Sequence, residues 1–120
     1  MAWPHATPTV TIANAAALSD AADIGGTQLG GRLLGAIIMP ADWTAAVLTF
    51  QASDDGVTYR NVYDEFGIEY TVQAAVDRHI LLDASRFAGV PYLKVRSGTS
   101  ASAVNQGAER IIKLQLRELP

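Results

Sequence analysis

The chain has 120 residues, of which 49% are hydrophobic and 18% are charged, and this composition excludes wholesale disorder and predicts one domain with a core of its own. Its net charge is −3 and its nine lysines and arginines never form a run, which argues against nucleic acid or a membrane surface as a partner. The absence of cysteine excludes disulfides, a thiolate nucleophile and cysteine-based zinc sites.

Residues 1–8 are predicted to form an extended N-terminal arm, and residues 9–120 a single domain. The arm carries two prolines beside Trp3 and His5, and we expect Trp3 either to fold back on the domain or to lie on a neighbouring subunit. The start of the chain lacks the basic region and the long apolar core of a secretory signal, so the protein is expected to be made and to fold in the cytoplasm. The longest apolar run, residues 33–39, is far shorter than the ~20 residues of a membrane-spanning helix.

The first part of the predicted domain alternates strand-like runs with turns. Residues 9–12 form a short strand candidate. The alanine-rich stretch 14–22 favours a strand or loop over a helix, because polar residues and a glycine pair interrupt it. Residues 25–31 predict a turn-rich connection and not a phosphate loop, which needs Lys followed by Ser or Thr. Residues 32–39 are continuously apolar and predict a strand buried on both faces.

Residues 47–63 predict a β-hairpin around which the other elements pack. Its two arms alternate between apolar and polar residues, with a period of two that is typical of half-buried strands. The first arm places on one face Leu48, Phe50 and Ala52. The turn at 53–56 reads Ser-Asp-Asp-Gly, and it reverses the chain because Asp bonds its own backbone and Gly takes a positive φ freely.

The second part of the domain predicts further strands joined by short polar turns. The predicted strands cover residues 68–72, 79–83, 91–96 and 110–119, with a single helical turn at 84–88. The side chains expected to face inward are Ile68, Tyr70, Val72, Leu93, Val95, Ile112, Leu114 and Leu116. Those expected to face outward include Lys94 and Arg96. About eight short strands without a sustained helix predict an all-β antiparallel sandwich or barrel.

Motifs of enzymes are missing from the sequence. The two histidines, His5 and His79, do not stand in a metal-spaced motif, and neither HExxH nor a G-x-S-x-G nucleophile elbow occurs. Most carboxylates lie at predicted turns, where Asp is favoured for backbone reasons. We therefore expect no catalysis, no metal and no cofactor.

A structural protein that packs among neighbours fits the low charge of the chain and its long polar loop. That loop, Ser97–Gly107, has the length at which an unstructured connection begins to suggest a function or a partner. We expect contacts with other subunits in the arm and in this loop. The predicted contact residues are Trp3, His5, Ser97, Thr99, Asn105 and Gln106.

A glycan-binding module is the alternative function. β-Sandwich domains include lectins, and aromatic rings can stack on sugars. Trp43 and Tyr59 could supply such rings. For Trp43, which lies in a turn that follows Pro40, a position over one end of the core is favoured over sugar stacking.

Two parts of the sequence carry a resemblance to a known family. The first consists of Ile38–Ala46, Leu48–Gln51 and Ser53–Tyr59. The second consists of Tyr92–Thr99, Val104–Ala108 and the final Ile-rich strand. Together they resemble small proteins encoded among the structural genes of tailed phages, prophages and gene-transfer-agent-like clusters of alphaproteobacteria. The S-x-D-G-x-x-Y hairpin and the YLKVRSGT strand also resemble the discoidin-type, galactose-binding-like jelly-roll sandwich.

The resemblance spans residues 18–119 and implies an antiparallel, jelly-roll-like β-sandwich in a virion component. It implies a non-enzymatic head decoration protein, the base of a head spike or fibre, or a tail accessory domain, with the head surface favoured. The partners would be capsid, spike or tail subunits and further copies of the chain, held by large and mainly apolar interfaces. Ligand residues of discoidin-type domains cannot be carried over, because no motif marks them here.

Overall fold

The structure, a computed structural model, describes residues 5–25 and 32–118 of the chain. These ranges contain a set of short strands and one 3₁₀ turn. The strands are β1 (His5–Ala6), β2 (Thr9–Ile12), β3 (Leu18–Asp23), β4 (Arg32–Ile38), β5 (Leu48–Ser53), β6 (Arg60–Asn61), β7 (His79–Leu81), β8 (Tyr92–Ser97) and β9 (Arg110–Glu118). The 3₁₀ turn covers Ala84–Phe87.

The strands form two antiparallel sheets that pack as a β-sandwich, which confirms the predicted fold class. In the first sheet, β9 pairs with β4 on one side and with both β1 and β2 on the other, and β7 lies beyond β4. The second sheet has the order β3-β8-β5-β6. Leaving β1 aside, the orders β2-β9-β4-β7 and β3-β8-β5-β6 are those of a jelly roll, in which two Greek keys wind around one core.

The core lies between the two sheets and follows from the period-two alternation of the central strands. Successive residues of a strand point to opposite faces of its sheet. The inward residues of β8 and β9 have no exposed surface, and they are Leu93, Val95, Ile112, Leu114 and Leu116. The predictions for these five side chains are confirmed. Phe50 of β5 adds a fully buried ring to the same core.

Several predicted elements are present near their expected bounds. The alanine-rich stretch ends in strand β3 and not in a helix, and the apolar run that begins at Arg32 is strand β4. The single helical turn is the 3₁₀ turn, in which Asp83 accepts a hydrogen bond from the amide of Ser85. Residues 26–31 of the predicted glycine-rich connection lie outside the described residues.

The second arm of the predicted hairpin is shorter than expected. Strand β6 pairs with β5 only through two residue pairs, Gln51 with Asn61 and Ala52 with Arg60. The residues before β6 form a loop, because the carboxylate of Asp55 accepts the N–H groups of the two residues after Gly56. Those amides are therefore not available for pairing across the hairpin.

The predicted strand at residues 68–72 is also reduced. In place of a continuous strand there are two isolated β-bridges, one between Tyr63 and Glu69 and one between Leu48 and Val72. Val72 is buried as predicted, whereas Ile68 is exposed, because it directly follows a tight turn. The inward prediction for Ile68 is therefore wrong.

The N-terminal arm is part of the sandwich where the structure describes it. Strand β1 pairs with the C-terminal half of β9, and the Leu114 N–H donates a hydrogen bond to the carbonyl of Pro8. Residues 5–8 therefore extend along the edge of the first sheet and do not stand apart from the domain. Trp3 lies outside the described residues.

Candidate docking site

Three large apolar side chains project from one turn and its flanks. Tyr63, Phe66 and Ile68 are exposed by 52%, 80% and 64%, although side chains of this kind are usually found in the interior. Exposed apolar side chains that are close together mark interaction surfaces more often than isolated ones do. These three residues are called the apolar tip below.

The turn that carries the apolar tip is held by the side chain of Asp64. The carboxylate of Asp64 accepts hydrogen bonds from the amides of Phe66 at 2.8 Å and Ile68 at 3.0 Å. The Gly67 N–H donates to the Asp64 carbonyl, and the Asp64 N–H donates to the Ile68 carbonyl. Gly67 has a φ of 79°, which residues with a Cβ rarely adopt. Phe66 is therefore presented on a well-held turn.

A cleft of about 190 Å³ opens beside the apolar tip, between its turn and the 3₁₀ turn. The apolar and aromatic residues of its lining are Val62, Tyr63, Tyr70, Phe87, Val90 and Leu93, so Tyr63 belongs to both the apolar tip and the cleft. Tyr70 connects this lining to the core, because its ring lies 5.8 Å from the Phe50 ring and 5.4 Å from the Phe87 ring. Such ring pairs add to the stability gained from burial alone.

Charged side chains border this cleft. Arg86 Nη1 lies 3.3 Å from Glu65 Oε1, and Arg86 Nε lies 4.0 Å from Asp83 Oδ2. Hydrogen bonds from Ser85, with a smaller contribution from Arg86, lower the pKa of the Asp83 carboxyl. Burial raises the pKa of Tyr70 above its ordinary value. An apolar lining with a few charged groups at its border is typical of a binding cleft.

The flank of the apolar tip is anchored to the second sheet through Arg96. Arg96 points outward from β8, as predicted, but it is buried because the segments that contain Glu69 and Ser100 cover it. Its guanidinium donates to Asn61 at 2.7 Å and to Glu69 at 3.5 Å, and the Ser100 amide donates to Glu69 at 3.1 Å. The backbone of Glu69 forms a β-bridge with Tyr63. This network therefore holds the hairpin that carries the apolar tip against the second sheet.

Two of the predicted contact residues, Ser97 and Gln106, are buried within the chain. The Gln106 side chain accepts the Thr44 N–H at 2.8 Å and donates to the Thr44 carbonyl at 3.0 Å. The Ser97 hydroxyl donates to the Val104 carbonyl. Neither side chain is available to a partner, and we correct their assignment: both hold the polar loop to the rest of the protein.

The other predicted contact residues lie nearer the surface. Asn105 is exposed and Thr99 is half-buried in the polar loop, and His5 is exposed on β1. The apolar tip and its cleft contain none of the three. Their role in contacts stays a prediction.

The two rings that could stack on a sugar do not form one platform. Trp43 packs against the core ahead of β5, and its Nε1–H donates to the Ala46 carbonyl at 3.1 Å. Tyr59 lies beyond the other end of β5, with the Lys94 ammonium 4.4 Å from its ring centroid. A six-residue strand separates the two rings, and it spans roughly 15–20 Å. One sugar unit could not contact both.

Phe66 and Arg86 are surface features that were not predicted from the sequence. Phe66 stands inside a predicted turn whose backbone needs Asp64 and Gly67 but no aromatic residue. An aromatic residue that the turn does not need could have indicated an exposed contact residue. The pairing of Arg86 with Glu65 joins two separate segments of the chain. No local pattern indicates such a pairing.

In residues 5–25 and 32–118, no group of three or more histidine and carboxylate side chains could hold a metal ion. No helix there has the length and hydrophobicity to cross a bilayer.

Comparisons of the chain with protein-family models, curated proteins and solved structures found no match. A function must therefore be argued from the apolar tip and the cleft beside it.

Proposed function

We propose that this protein is a non-enzymatic structural subunit of a tailed phage or phage-like particle, which acts by docking onto other virion subunits. Head decoration or the base of a head spike or fibre is the favoured position. The observation that carries the docking role is the apolar tip, Tyr63, Phe66 and Ile68, next to a cleft of about 190 Å³. The resemblance of the hairpin and of strand β8 to phage structural proteins supports the virion setting.

Leaving these apolar side chains in water costs free energy that docking would recover. Fully burying a side chain of the size of Phe or Ile gains roughly 1.5–3 kcal/mol. The turn around Gly67 closes through backbone and Asp64 hydrogen bonds alone, so its own geometry does not require an aromatic residue at Phe66. A subunit that buries Phe66 against a neighbour would recover this free energy.

The proposed partners are other virion proteins, such as capsid, spike or tail subunits, together with further copies of the chain. Nucleic acid and membrane are not proposed as partners, since the chain carries a net charge of −3. A surface glycan remains an alternative partner in principle. No contact favours it, because Trp43 packs on the core and one face of Tyr59 is taken by Lys94.

The test is the protein composition of particles purified from the strain that encodes the chain. Quantitative mass spectrometry should find the wild-type chain in a fixed ratio to the major capsid protein. Phe66→Ser should lower that ratio at least about tenfold, as expected for loss of an aromatic anchor. Leu81→Ser is the matched control, because Leu81 is 81% exposed on the outer side of β7, away from the tip.

Two results would contradict the proposal. The first is the absence of the wild-type chain from particles purified to constant composition. The second is incorporation of Phe66→Ser at the wild-type ratio, which would exclude the apolar tip as the docking surface.

A further inference from the structure

The apolar tip combines a projecting side chain and a recess in one small region. Phe66 is exposed by 80% and does not line the cleft of its own chain. The cleft is lined by Asp64 and Glu65, which immediately precede Phe66 in the same turn. The projecting ring and the recess are therefore side by side, and the turn holds their relative position.

The recess has a suitable size for an aromatic ring. This open cleft has a volume of about 190 Å³, and an apolar cavity of about 150 Å³ is large enough to hold benzene. Its apolar lining includes the Tyr70 and Phe87 rings, against which an incoming ring can pack edge-to-face or offset. A phenyl side chain would thus fit the recess both by volume and by chemistry.

A projecting group beside a matching recess is the arrangement that a two-fold symmetric contact requires. In such an interface the same patch of both chains is used, so that residue i of one copy contacts residue j of the other and the reverse. Rotation about an axis between Phe66 and the cleft would place each ring over the recess of the other copy. Both contacts form at once, and the assembly closes as a dimer.

The charges at the border of the cleft fit a second copy of the chain. Glu65 and Arg86 lie 3.3 Å apart at this border, and both are largely exposed. In a two-fold symmetric contact, the Glu65–Arg86 pair of one copy faces the same pair of the other copy in the opposite direction. Glu65 of each copy then lies opposite Arg86 of the other. Each Arg86 can then meet Glu65 of the other copy, which pairs the one cation of each cleft lining with an acidic side chain.

We infer that the apolar tip is a self-association site, at which Phe66 of one copy inserts into the Val62–Tyr70–Phe87–Val90 recess of a second copy, and reciprocally. This inference deepens the proposed function and rests on it, because it names the partner of the proposed docking surface.

The area of the patch sets the expected strength of the dimer. A large aromatic side chain carries roughly 150–250 Å², so the exposed parts of the three tip residues together amount to at most about 300–400 Å². One face of the hairpin presents less than this, because Tyr63 pairs with Glu69 and Asp64 with Ile68, which places Tyr63 and Ile68 on opposite faces. A stable interface buries about 800 Å² on each partner. The isolated chain should therefore dimerise weakly, with a Kd of roughly 10 µM to 1 mM, and more tightly where a particle raises its local concentration.

The experiment is sedimentation velocity of the full chain between about 10 µM and 1 mM, the range that brackets this Kd. The wild type and Leu81→Ser should show the same rise in mass toward a dimer. Phe66→Ser should remain monomeric throughout, or dimerise at least about tenfold more weakly. Because Phe66 is exposed, its replacement is not expected to unfold the chain, and circular dichroism checks this.

A mixing experiment tests the reciprocal insertion itself. Val90→Trp fills the recess and leaves Phe66 in place, so it should be monomeric on its own. Mixed with Phe66→Ser at about 1 mM each, it should form more dimer than either variant alone, although less than the wild type, because only one of the two ring–recess contacts is restored. Arg86→Trp, at a half-exposed position beside the recess, is a second blocking variant if Val90→Trp proves unfolded.

Three outcomes would overturn the inference: a wild-type chain that stays monomeric at the highest concentration, a Phe66→Ser variant that dimerises like the wild type, or a mixture of folded variants that contains no more dimer than the two variants alone. A monomeric wild-type chain that is still found in purified particles would overturn self-association and leave the proposed function standing. A chain that dimerises in solution but is absent from purified particles would overturn the proposed function and leave self-association standing.

Discussion

At the scale of single residues, Gln106 has a structural role that its polar surroundings in the sequence do not suggest. It is 1% exposed, and its side chain bonds both backbone groups of Thr44 and the Arg110 Nε–H at 3.1 Å. Its own backbone exchanges hydrogen bonds with Ala15 and Ala16. One side chain thus joins the loop before β5 to the loop before β9.

Gln106→Ala should therefore destabilise the protein strongly. The substitution leaves the N–H and C=O of Thr44 without their partner, and unsatisfied buried groups cost about 1–3 kcal/mol each. We expect a loss of roughly 2–3 kcal/mol in the free energy of unfolding, measured by urea denaturation. Asn105→Ala is the matched control. The Asn105 side chain is exposed, so its removal should change the free energy of unfolding by less than about 0.5 kcal/mol. Equal losses in the two variants would contradict this role of Gln106.

Asp55 organises the loop between β5 and β6. Its carboxylate accepts the amides of Val57 at 2.8 Å and Thr58 at 2.9 Å and the Ser53 hydroxyl at 2.9 Å. These hydrogen bonds, led by the one from Thr58, lower the pKa of Asp55 from 3.8 to about 2. Because the pKa is lower in the folded state, the contribution to stability is complete above the unfolded value and is lost as the pH falls toward 2.

Asp55→Ala should lower the urea midpoint of unfolding at pH 7. The difference from the wild type should stay constant down to about pH 4 and shrink between pH 4 and pH 2. Asp54→Ala is the control, because the Asp54 side chain has no hydrogen bond in the described part of the chain. A difference that grows on acidification would contradict the assignment.

At the scale of elements, two ion pairs of similar length differ in how far they are buried. Arg96 and Glu69 approach to 3.5 Å with side chains exposed by 9% and 14%. Arg86 and Glu65 approach to 3.3 Å, but their side chains are far more exposed. Breaking a buried pair leaves an uncompensated charge, whereas exposed pairs contribute little.

Arg96→Met should cost roughly 3 kcal/mol of unfolding free energy, because the Glu69 carboxylate loses its cationic partner in a covered position. The double variant Arg96→Met/Glu69→Gln should recover part of this loss. Arg86→Met, the exposed counterpart, should cost less than about 1 kcal/mol. Chemical denaturation of the three variants checks the order, and equal losses for Arg96→Met and Arg86→Met would contradict it.

The regular strands are the part of the fold that the sequence predicts best. In β8 and β9 the apolar residues recur with a period of two, and a half-buried strand is the element that uses such a period. The same pattern fails where loops cover a sheet. Arg96 points away from the core as its position in β8 predicts, but the segment around Glu69 buries it. This covering depends on tertiary packing and not on the local sequence.

At the scale of the whole molecule, the jelly roll creates the candidate site by bringing two separate segments together. The turn around Phe66 and the 3₁₀ turn Ala84–Phe87 flank one cleft, although β7 lies between them in the chain. The sequence indicates each turn by itself, through Asp-Glu-Phe-Gly and through the glycine after the helical turn. Their proximity follows from the strand order of the sandwich, which local patterns do not determine.

Within the described residues, large exposed apolar side chains also occur singly, at Val57, Val76, Leu81 and Ile111. Tyr63, Phe66 and Ile68 share one hairpin, whereas Leu81 stands on an edge strand of the other sheet. Because the apolar tip and Leu81 lie on different sheets, Leu81 can serve as an internal control in tests of the apolar tip. This separation also defines the contact face that the proposed function requires.

Hydroxyl-radical footprinting of the chain in purified particles, compared with the free chain, tests docking through the apolar tip most directly. Oxidation of Phe66 and Tyr63 should fall at least about tenfold on assembly if both rings are buried at an interface core, while Leu81 keeps its reactivity. Phe66 that is oxidised equally in the free and the assembled chain, or protection of Leu81 in its place, would contradict the account.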